Sequence, residues 1–170
     1  MQEFFQQTIK ENISFEGIGL HSGKISKVRL IPGASNQGII FKRIDLKDKN
    51  IIKANYINVS SAKLCTTLEN SSGSKVSTVE HLLAAFYIVG VDNVVVEIDN
   101  EEIPIMDGSS KDFVKLLNNI GTKRKNEKRK FLKVLHKVEL EDCGRTIAIE
   151  PSNLSFEVKK GEVFGLLGPN

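Results

Sequence analysis

Two segments with the apolar spacing of helices most constrain how this chain can fold. The first begins near Ser77, and its apolar residues recur at helical spacing: Val79, Leu82, Leu83 and Phe86. Gly90 stands where this helix is predicted to end. The second helix is predicted after Ser109 or Ser110, either of which can cap it, and Gly121 would end it.

Short β-branched segments bounded by turn residues occupy most of the rest of the chain. Residues 13–15, 27–31 and 38–43 are predicted strands of the first part, and residues 94–98 form a mostly apolar strand after the first helix. Glycines flank His21 in residues 17–23, as a loop that must approach another segment closely would require.

A basic run marks the expected domain boundary. Residues 123–130 carry six positive charges in eight residues, which is typical of a solvated linker. Weak attraction to acidic lipid head groups is the alternative. After the run, residues 131–140 and 145–150 are strand-like and surround a predicted turn at residues 141–144.

Composition excludes several classes of protein. The net charge of +3 is mild and does not predict binding to nucleic acid. The two cysteines, Cys65 and Cys143, match no disulfide or zinc-finger spacing, which favours a reducing compartment. No apolar stretch approaches the roughly 20 residues of a membrane helix, and no signal peptide is visible, so a cytoplasmic protein is expected.

Residues 77–81 (STVEH) hold the richest chemistry of the sequence. A neutral imidazole such as His81 can bind a metal, and a neighbouring carboxylate such as Glu80 can act as general base. The same letters also fit a capping box, in which Glu80 would bond back to the helix start at Ser77. Spacing alone leaves both interpretations open.

The other candidate ligands are few and scattered. Of the three histidines, His136 is expected on the surface, whereas His21 in its glycine-rich loop is a better candidate for a site. Cys65 is either an ordinary buried thiol or part of the site. Since catalytic zinc usually takes three protein ligands, these residues predict at most an incomplete metal site.

Three segments occurring in order are far more specific: residues 17–23 (GIGLHSG), 77–85 (STVEHLLAA) and 103–109 (IPIMDGS). From about Thr8 to about Ser152 the chain resembles the zinc-dependent UDP-3-O-acyl-N-acetylglucosamine deacetylases of lipid A biosynthesis. The resemblance implies two similar α+β domains, each a small sheet packed against two helices, with the active site between them.

The resemblance also implies roles for individual residues. His81 would be a zinc ligand and Glu80 the general base that removes the N-acetyl group of a UDP-linked acylated glucosamine. Cys65 matches a position near the site where a second, inhibitory metal can bind. His21 and Asp107 match supporting positions near the cleft.

The departures from the family pattern are equally specific. The family's second-domain helix with a His-Lys-x-x-Asp motif, which supplies two further zinc ligands, has no counterpart here. We therefore expect an inactive chain with one first domain (residues 1–122), the linker (123–130) and the first strands of a second domain (131–153). A non-catalytic module that binds a nucleotide-sugar or a partner is the alternative.

The last residues, 154–170, suggest a different origin. They resemble the start of an ABC-transporter ATPase domain, in which a strand pair leads into a phosphate-binding loop. The lysine of that loop is absent, so nucleotide hydrolysis by this chain is not expected.

Overall fold

The computed structural model describes residues 5–131 and 133–151 and shows an α+β fold of twelve strands, two α-helices and a short 3-10 helix at Tyr56–Asn58. The strands are β1 (Phe5–Ile9), β2 (Ile13–Ile18), β3 (Ile25–Pro32), β4 (Ile39–Arg43), β5 (Ile51–Lys53), β6 (Val59–Ser61), β7 (Thr67–Glu69), β8 (Lys75–Val76), β9 (Val94–Ile98), β10 (Thr122–Lys128), β11 (Val138–Asp142) and β12 (Arg145–Ile149). The helices are α1 (Glu80–Val89) and α2 (Lys111–Ile120).

A five-stranded sheet with the order β2-β3-β9-β4-β5 forms the centre of the first compact unit. Its pairs are antiparallel except β4 and β9, which run parallel. In β9, Val94, Val96 and Ile98 alternate onto one face and are fully buried. Because successive strand residues point to opposite faces, this alternation directs one side of the sheet into the core.

Both helices were predicted and both are present. The core contains Leu82 and Phe86 of α1 together with Phe113 and Leu117 of α2. The ring of Phe113 packs edge-on against the ring of Phe15 in β2, with 5.4 Å between their centroids. Both helices end at a glycine with positive φ. Gly90, at a φ of 83°, is the left-handed residue that commonly ends a helix. Gly121 has a φ of 70° with an extended ψ of 178°, which glycine adopts without steric cost.

The predicted basic linker is largely a strand. Residues 122–128 form β10, which pairs antiparallel with β1, and the first compact unit extends to Arg129. Charged side chains do not prevent this pairing, because a strand at a sheet edge can keep them in solvent while its backbone bonds its neighbour. The guanidinium of Arg124 also covers the ring of Phe5, 3.5 Å from its centroid.

A small three-stranded sheet, β6-β7-β8, is attached to the central sheet through Arg43. The buried guanidinium of Arg43 donates to the carbonyl of Lys75 in β8 at 2.6 Å, and to both carboxylate oxygens of Asp45 at 2.8 and 2.7 Å. Hydrogen bonding to Arg43 lowers the pKa of Asp45 below its ordinary value. Because β8 pairs with β7, this contact also fixes the position of β7 and of the residues that precede it.

The second compact unit begins at Lys130. Its hairpin pairs β11 with β12 from Val138 opposite Ile149 to Asp142 opposite Arg145. Cys143 and Gly144 connect the strands with positive φ values of 51° and 75°, as a tight hairpin turn requires. The first strand starts at Val138 rather than Phe131, and His136 is exposed as predicted.

Residues 154–170, with their predicted ATPase-like start, lie outside the described residues. Within residues 5–131 and 133–151, no helix is long and apolar enough to cross a membrane.

Candidate active site

Helix α1 begins at Glu80, and its first turn is not closed by a capping box. Val79 occupies the N-cap position, and no side chain of that residue caps the helix. The hydroxyl of Ser77 donates instead to the carbonyl of Glu101 at 3.1 Å. The capping interpretation of Ser77 and Glu80 is therefore wrong, because tertiary contacts occupy both side chains.

The carboxylate of Glu80 reaches across to the segment that carries Cys65. Its Oε2 accepts the backbone N–H of Thr66 at 3.1 Å. Cys65 is half-buried, and its Sγ lies 3.8 Å from the hydroxyl oxygen of Thr67. His81 is also half-buried. The fold thus brings Cys65 and Thr66 to the start of the helix on which Glu80 and His81 follow one another.

The turn before α1 is strained. Thr78 has a φ of 56°, a left-handed conformation that β-branched residues rarely adopt and that costs on the order of 1–3 kcal/mol. Backbone bonds hold the turn on one side: the Ser77 N–H donates to Glu101 at 2.9 Å, and the Ile103 N–H donates to Ser77 at 3.1 Å. On the other side, the buried Thr78 hydroxyl donates to Glu102 Oε1 at 2.9 Å.

Glu102 is a buried carboxylate at the meeting point of three segments. Only 1% of its surface is exposed. Besides Thr78, it accepts the backbone N–H of His21 at 2.9 Å and that of Ser22 at 2.7 Å. Burial raises the pKa of Glu102, but hydrogen bonds from the Ser22 hydroxyl, the two N–H groups and Thr78 outweigh burial and bring the pKa below its ordinary value.

Two glycines of the His21 loop are required by close approach to this segment. A Cβ at Gly19 would lie 2.4 Å from a carboxylate oxygen of Glu102, and one at Gly17 would lie 2.9 Å from Cβ of Pro104. The expectation that this loop approaches another segment closely is therefore confirmed. His21 itself is exposed, and its described contact is through the backbone N–H.

Asp107 differs from Glu102 in being exposed. Its Oδ1 accepts the hydroxyl of Ser109 at 2.8 Å and the Ser109 N–H at 3.0 Å. These bonds, the hydroxyl first, lower the pKa of Asp107. Asp107 is tied to the His21 loop through the chain, since the Ile105 N–H donates to the carbonyl of Ile18 at 3.0 Å.

A polar cavity lies beside the start of α1. Its volume is about 320 Å³, and hydroxyl and charged side chains line it: Ser60, Ser61, Thr67, Glu69, Lys75, Ser77 and Glu101. Such a lining suits a polar ligand group.

The residues described do not by themselves complete a metal centre. In the described part of the chain, no group of three His, Cys, Asp or Glu side chains is close enough to hold a metal ion. His81 can offer one imidazole nitrogen, whereas a catalytic zinc takes three protein ligands. The described residues therefore do not fit a complete zinc site.

Sequence reasoning missed the connecting residues of this site. Thr66, Thr78 and Glu102 were given no role, although each contributes a hydrogen bond that fixes the start of α1. The paired acids Glu101 and Glu102 before an apolar run were a visible signal. The pattern could not tell which of the two is buried.

Comparison with known proteins adds an independent finding. Residues 6–165 match the sequence profile of a family described as UDP-3-O-acyl N-acetylglycosamine deacetylase. A UDP-3-O-acyl-N-acetylglucosamine deacetylase of Aliivibrio fischeri is 43% identical over 148 residues, which cover 87% of this chain and 48% of the relative. One from Geotalea uraniireducens is 43% identical over 157 residues, covering 91% of this chain and 51% of the relative. The chain spans about half the length of the curated relatives it matches.

Proposed function

Because the chain belongs to the UDP-3-O-acyl N-acetylglycosamine deacetylase family, we propose that it takes part in the hydrolytic removal of the N-acetyl group from UDP-3-O-acyl-N-acetylglucosamine during lipid A synthesis. In this proposal, Glu80 is the general base and His81 is one ligand of a zinc ion. Cys65, His21 and Asp107 are supporting residues near the reacting group.

The observation that carries the proposal is the position of Glu80. A structural cap would bond its own helix start, but the Glu80 carboxylate is directed to the N–H of Thr66 in another segment. That bond fixes the direction of the carboxylate beside His81. A general base must be held within hydrogen-bond reach of the water from which it takes a proton, and a carboxylate with a fixed direction meets this need.

Zinc, when bound, would supply Lewis-acid activation of the acetamide carbonyl. A zinc ion held by His81 would need further ligands from beyond the described residues, since those residues hold no group of three. The role proposed for this part of the chain is to orient Glu80 and to offer the His81 imidazole.

The second candidate is a non-catalytic module that binds the nucleotide-sugar or a partner. The lack of a three-ligand group in the described ranges favours it, as does the polar cavity beside Ser77. A module of this kind would bind the UDP-sugar without needing Glu80 as a base.

A chimera tests the first candidate. Residues 6–165 of this chain would replace the matching part of the Geotalea uraniireducens relative, and acetate release from UDP-3-O-acyl-N-acetylglucosamine would be measured. We expect turnover by the chimera, with kcat reduced about 100-fold or more by Glu80→Gln, since general-base catalysis contributes at least that factor. Glu16→Gln, at an exposed position of β2, is the matched control and should retain full kcat.

Two results would decide against the first candidate. Full turnover by the Glu80→Gln chimera would remove Glu80 as the base. Saturable binding of the UDP-sugar by both the chimera and the unmodified chain, without acetate release from either, would favour the binding module.

A further inference from the structure

One carboxylate joins the loop that carries His21 to the turn that leads into α1, the helix that carries His81. Oε1 of Glu102 accepts from the His21 N–H and the Thr78 hydroxyl, and Oε2 accepts from the Ser22 N–H. Resting on the proposed function, we propose that Glu102 is a positioning residue: its buried carboxylate holds the His21 loop and the start of α1 in one arrangement, and so orients Glu80 and His81.

The geometry makes this junction stiff. Hydrogen bonds to an ionised acceptor are stronger than neutral ones, and Glu102 collects several of them at a site that is 1% exposed. Gly19 approaches the carboxylate so closely that a Cβ there would lie 2.4 Å from it. The loop therefore has little room to shift while the carboxylate stays in place.

The same carboxylate holds a residue that would otherwise relax. Thr78 is left-handed at a φ of 56°, and its hydroxyl bond to Glu102 is the side-chain contact that opposes relaxation. Val79 alone separates Thr78 from Glu80. A rotation of the Thr78 backbone would consequently move the first residue of α1 and the direction of its carboxylate.

Loss of the Glu102 carboxylate should therefore also expose the backbone N–H of Thr66, to which Glu102 is not hydrogen-bonded. The Thr66 N–H is held by Glu80, whereas the His21 and Ser22 N–H groups are held by Glu102 directly. If Glu102 positions the start of α1, losing it frees all three N–H groups. If Glu102 serves only the His21 loop, the Thr66 N–H stays protected.

Amide hydrogen exchange of the 170-residue chain, read residue by residue by NMR, separates these cases. Glu102→Gln keeps the side-chain size but turns an NH₂ group toward an N–H donor. We expect exchange at His21, Ser22 and Thr66 to rise about tenfold, the equivalent of one lost hydrogen bond. Glu101→Gln is the matched control, since its exposed side chain meets Lys24 only at 3.7 Å, and exchange should match that of the unmodified chain.

A second pair of variants isolates the link through Thr78. Thr78→Val keeps the branched shape without the hydroxyl, and Thr78→Ser keeps the hydroxyl. We expect Thr78→Val to raise exchange at Thr66 while Ser22 stays protected, and Thr78→Ser to restore protection at Thr66. If Glu102→Gln loses protection throughout β9, showing that it has not folded, this pair carries the test alone.

The proposal is overturned if Thr66 keeps its protection in folded Glu102→Gln, or in Thr78→Val should Glu102→Gln fail to fold. Exchange is measured without substrate or zinc, so a chain that releases no acetate leaves this result standing. Conversely, turnover that depends on Glu80 while Thr66 stays protected would retain the proposed function and remove the positioning role of Glu102.

Discussion

The starts of α1 and α2 are built in opposite ways. Both helices have ten residues, end at a glycine with positive φ and lack a side-chain bond from the N-cap residue. The start of α2 is held by neighbours in sequence, as Ser109 accepts from the Lys111 N–H and donates to Asp107. The start of α1 is held by Thr66, 14 residues before Glu80, and by Glu102, 24 residues after Thr78.

This difference matches what each helix start is proposed to do. A local, exposed set of bonds is sufficient to begin a helix that packs on the core. A helix start that carries a base and a metal ligand must also be placed relative to other loops, and long-range bonds to a buried carboxylate achieve this. Non-local contacts are thus concentrated at the helix start with proposed chemistry.

The largest expected effect tests whether the two helices differ only at their starts. Phe86 of α1 and Phe113 of α2 are both essentially fully buried. Replacing either with Ala should reduce the free energy of unfolding by about 3–5 kcal/mol, because a large cavity remains. Urea denaturation followed by circular dichroism would measure both losses.

Tyr87→Ala, at a side chain that is 88% exposed, is the control and should change stability by less than about 0.5 kcal/mol. A loss below about 1 kcal/mol for only one of the two phenylalanines would show that the helices also differ in how their faces are packed.

The contrast also explains how much the sequence could predict. Apolar spacing and β-branched segments predicted both helices and four of the five strands of the central sheet, because burial of a repeated face leaves a periodic pattern. The three-residue strand β5 is too short to show such a pattern and was not predicted. The start of α2 was predicted at Ser109 or Ser110 from local chemistry. At the start of α1, local spacing left a capping box and a catalytic pair both open, because Thr66 and Glu102 act on this helix start from distant positions that no local window contains.

Strand β10 shows that strand pairing, too, can depend on residues too distant for a local sequence pattern to reveal. The charges of residues 123–130 indicated a linker, and the pairing of β10 with β1 depends on a partner more than 110 residues earlier, as Thr122 opposite Ile9 illustrates. For the site, the family resemblance supplied the candidate roles of Glu80 and His81. The bonds of Glu102 came only from the structure.

An intermediate effect should appear in the dependence of stability on pH. The folded pKa of Glu102 lies below its ordinary value of 4.5, because its hydrogen bonds outweigh the opposing effect of burial. Its contribution is therefore fully present above the ordinary pKa and is lost as the pH falls through the depressed one. At neutral pH, Glu102→Gln should reduce the free energy of unfolding by about 1–3 kcal/mol, since buried donors lose their acceptor.

Urea denaturation at neutral pH and at several values below 4.5 would check the sign. The difference in the free energy of unfolding between the unmodified chain and Glu102→Gln should become smaller as the solution becomes more acidic. Asp107→Asn should have a much smaller effect, because Asp107 is exposed and solvent screens its bonds. A gap that widens in acid would contradict the assigned direction of the Glu102 pKa.

In the smallest predicted effect, removing a serine hydroxyl reduces stability more at the start of α2 than at the start of α1. The Ser109 hydroxyl accepts from the Lys111 N–H at 3.1 Å, so Ser109→Ala removes a bond from the first turn of α2 and should reduce stability by about 0.5–1 kcal/mol. The Ser77 hydroxyl donates to the Glu101 carbonyl, which also accepts the Ser77 N–H at 2.9 Å. Ser77→Ala leaves that carbonyl bonded and should reduce the free energy of unfolding by less than about 0.5 kcal/mol.

Thermal unfolding of both variants, with Ser71→Ala at an exposed serine as the control, would rank the two losses. A larger loss for Ser77→Ala would mean that the start of α1 also depends on a local hydroxyl, and the contrast between the two helix starts would no longer hold.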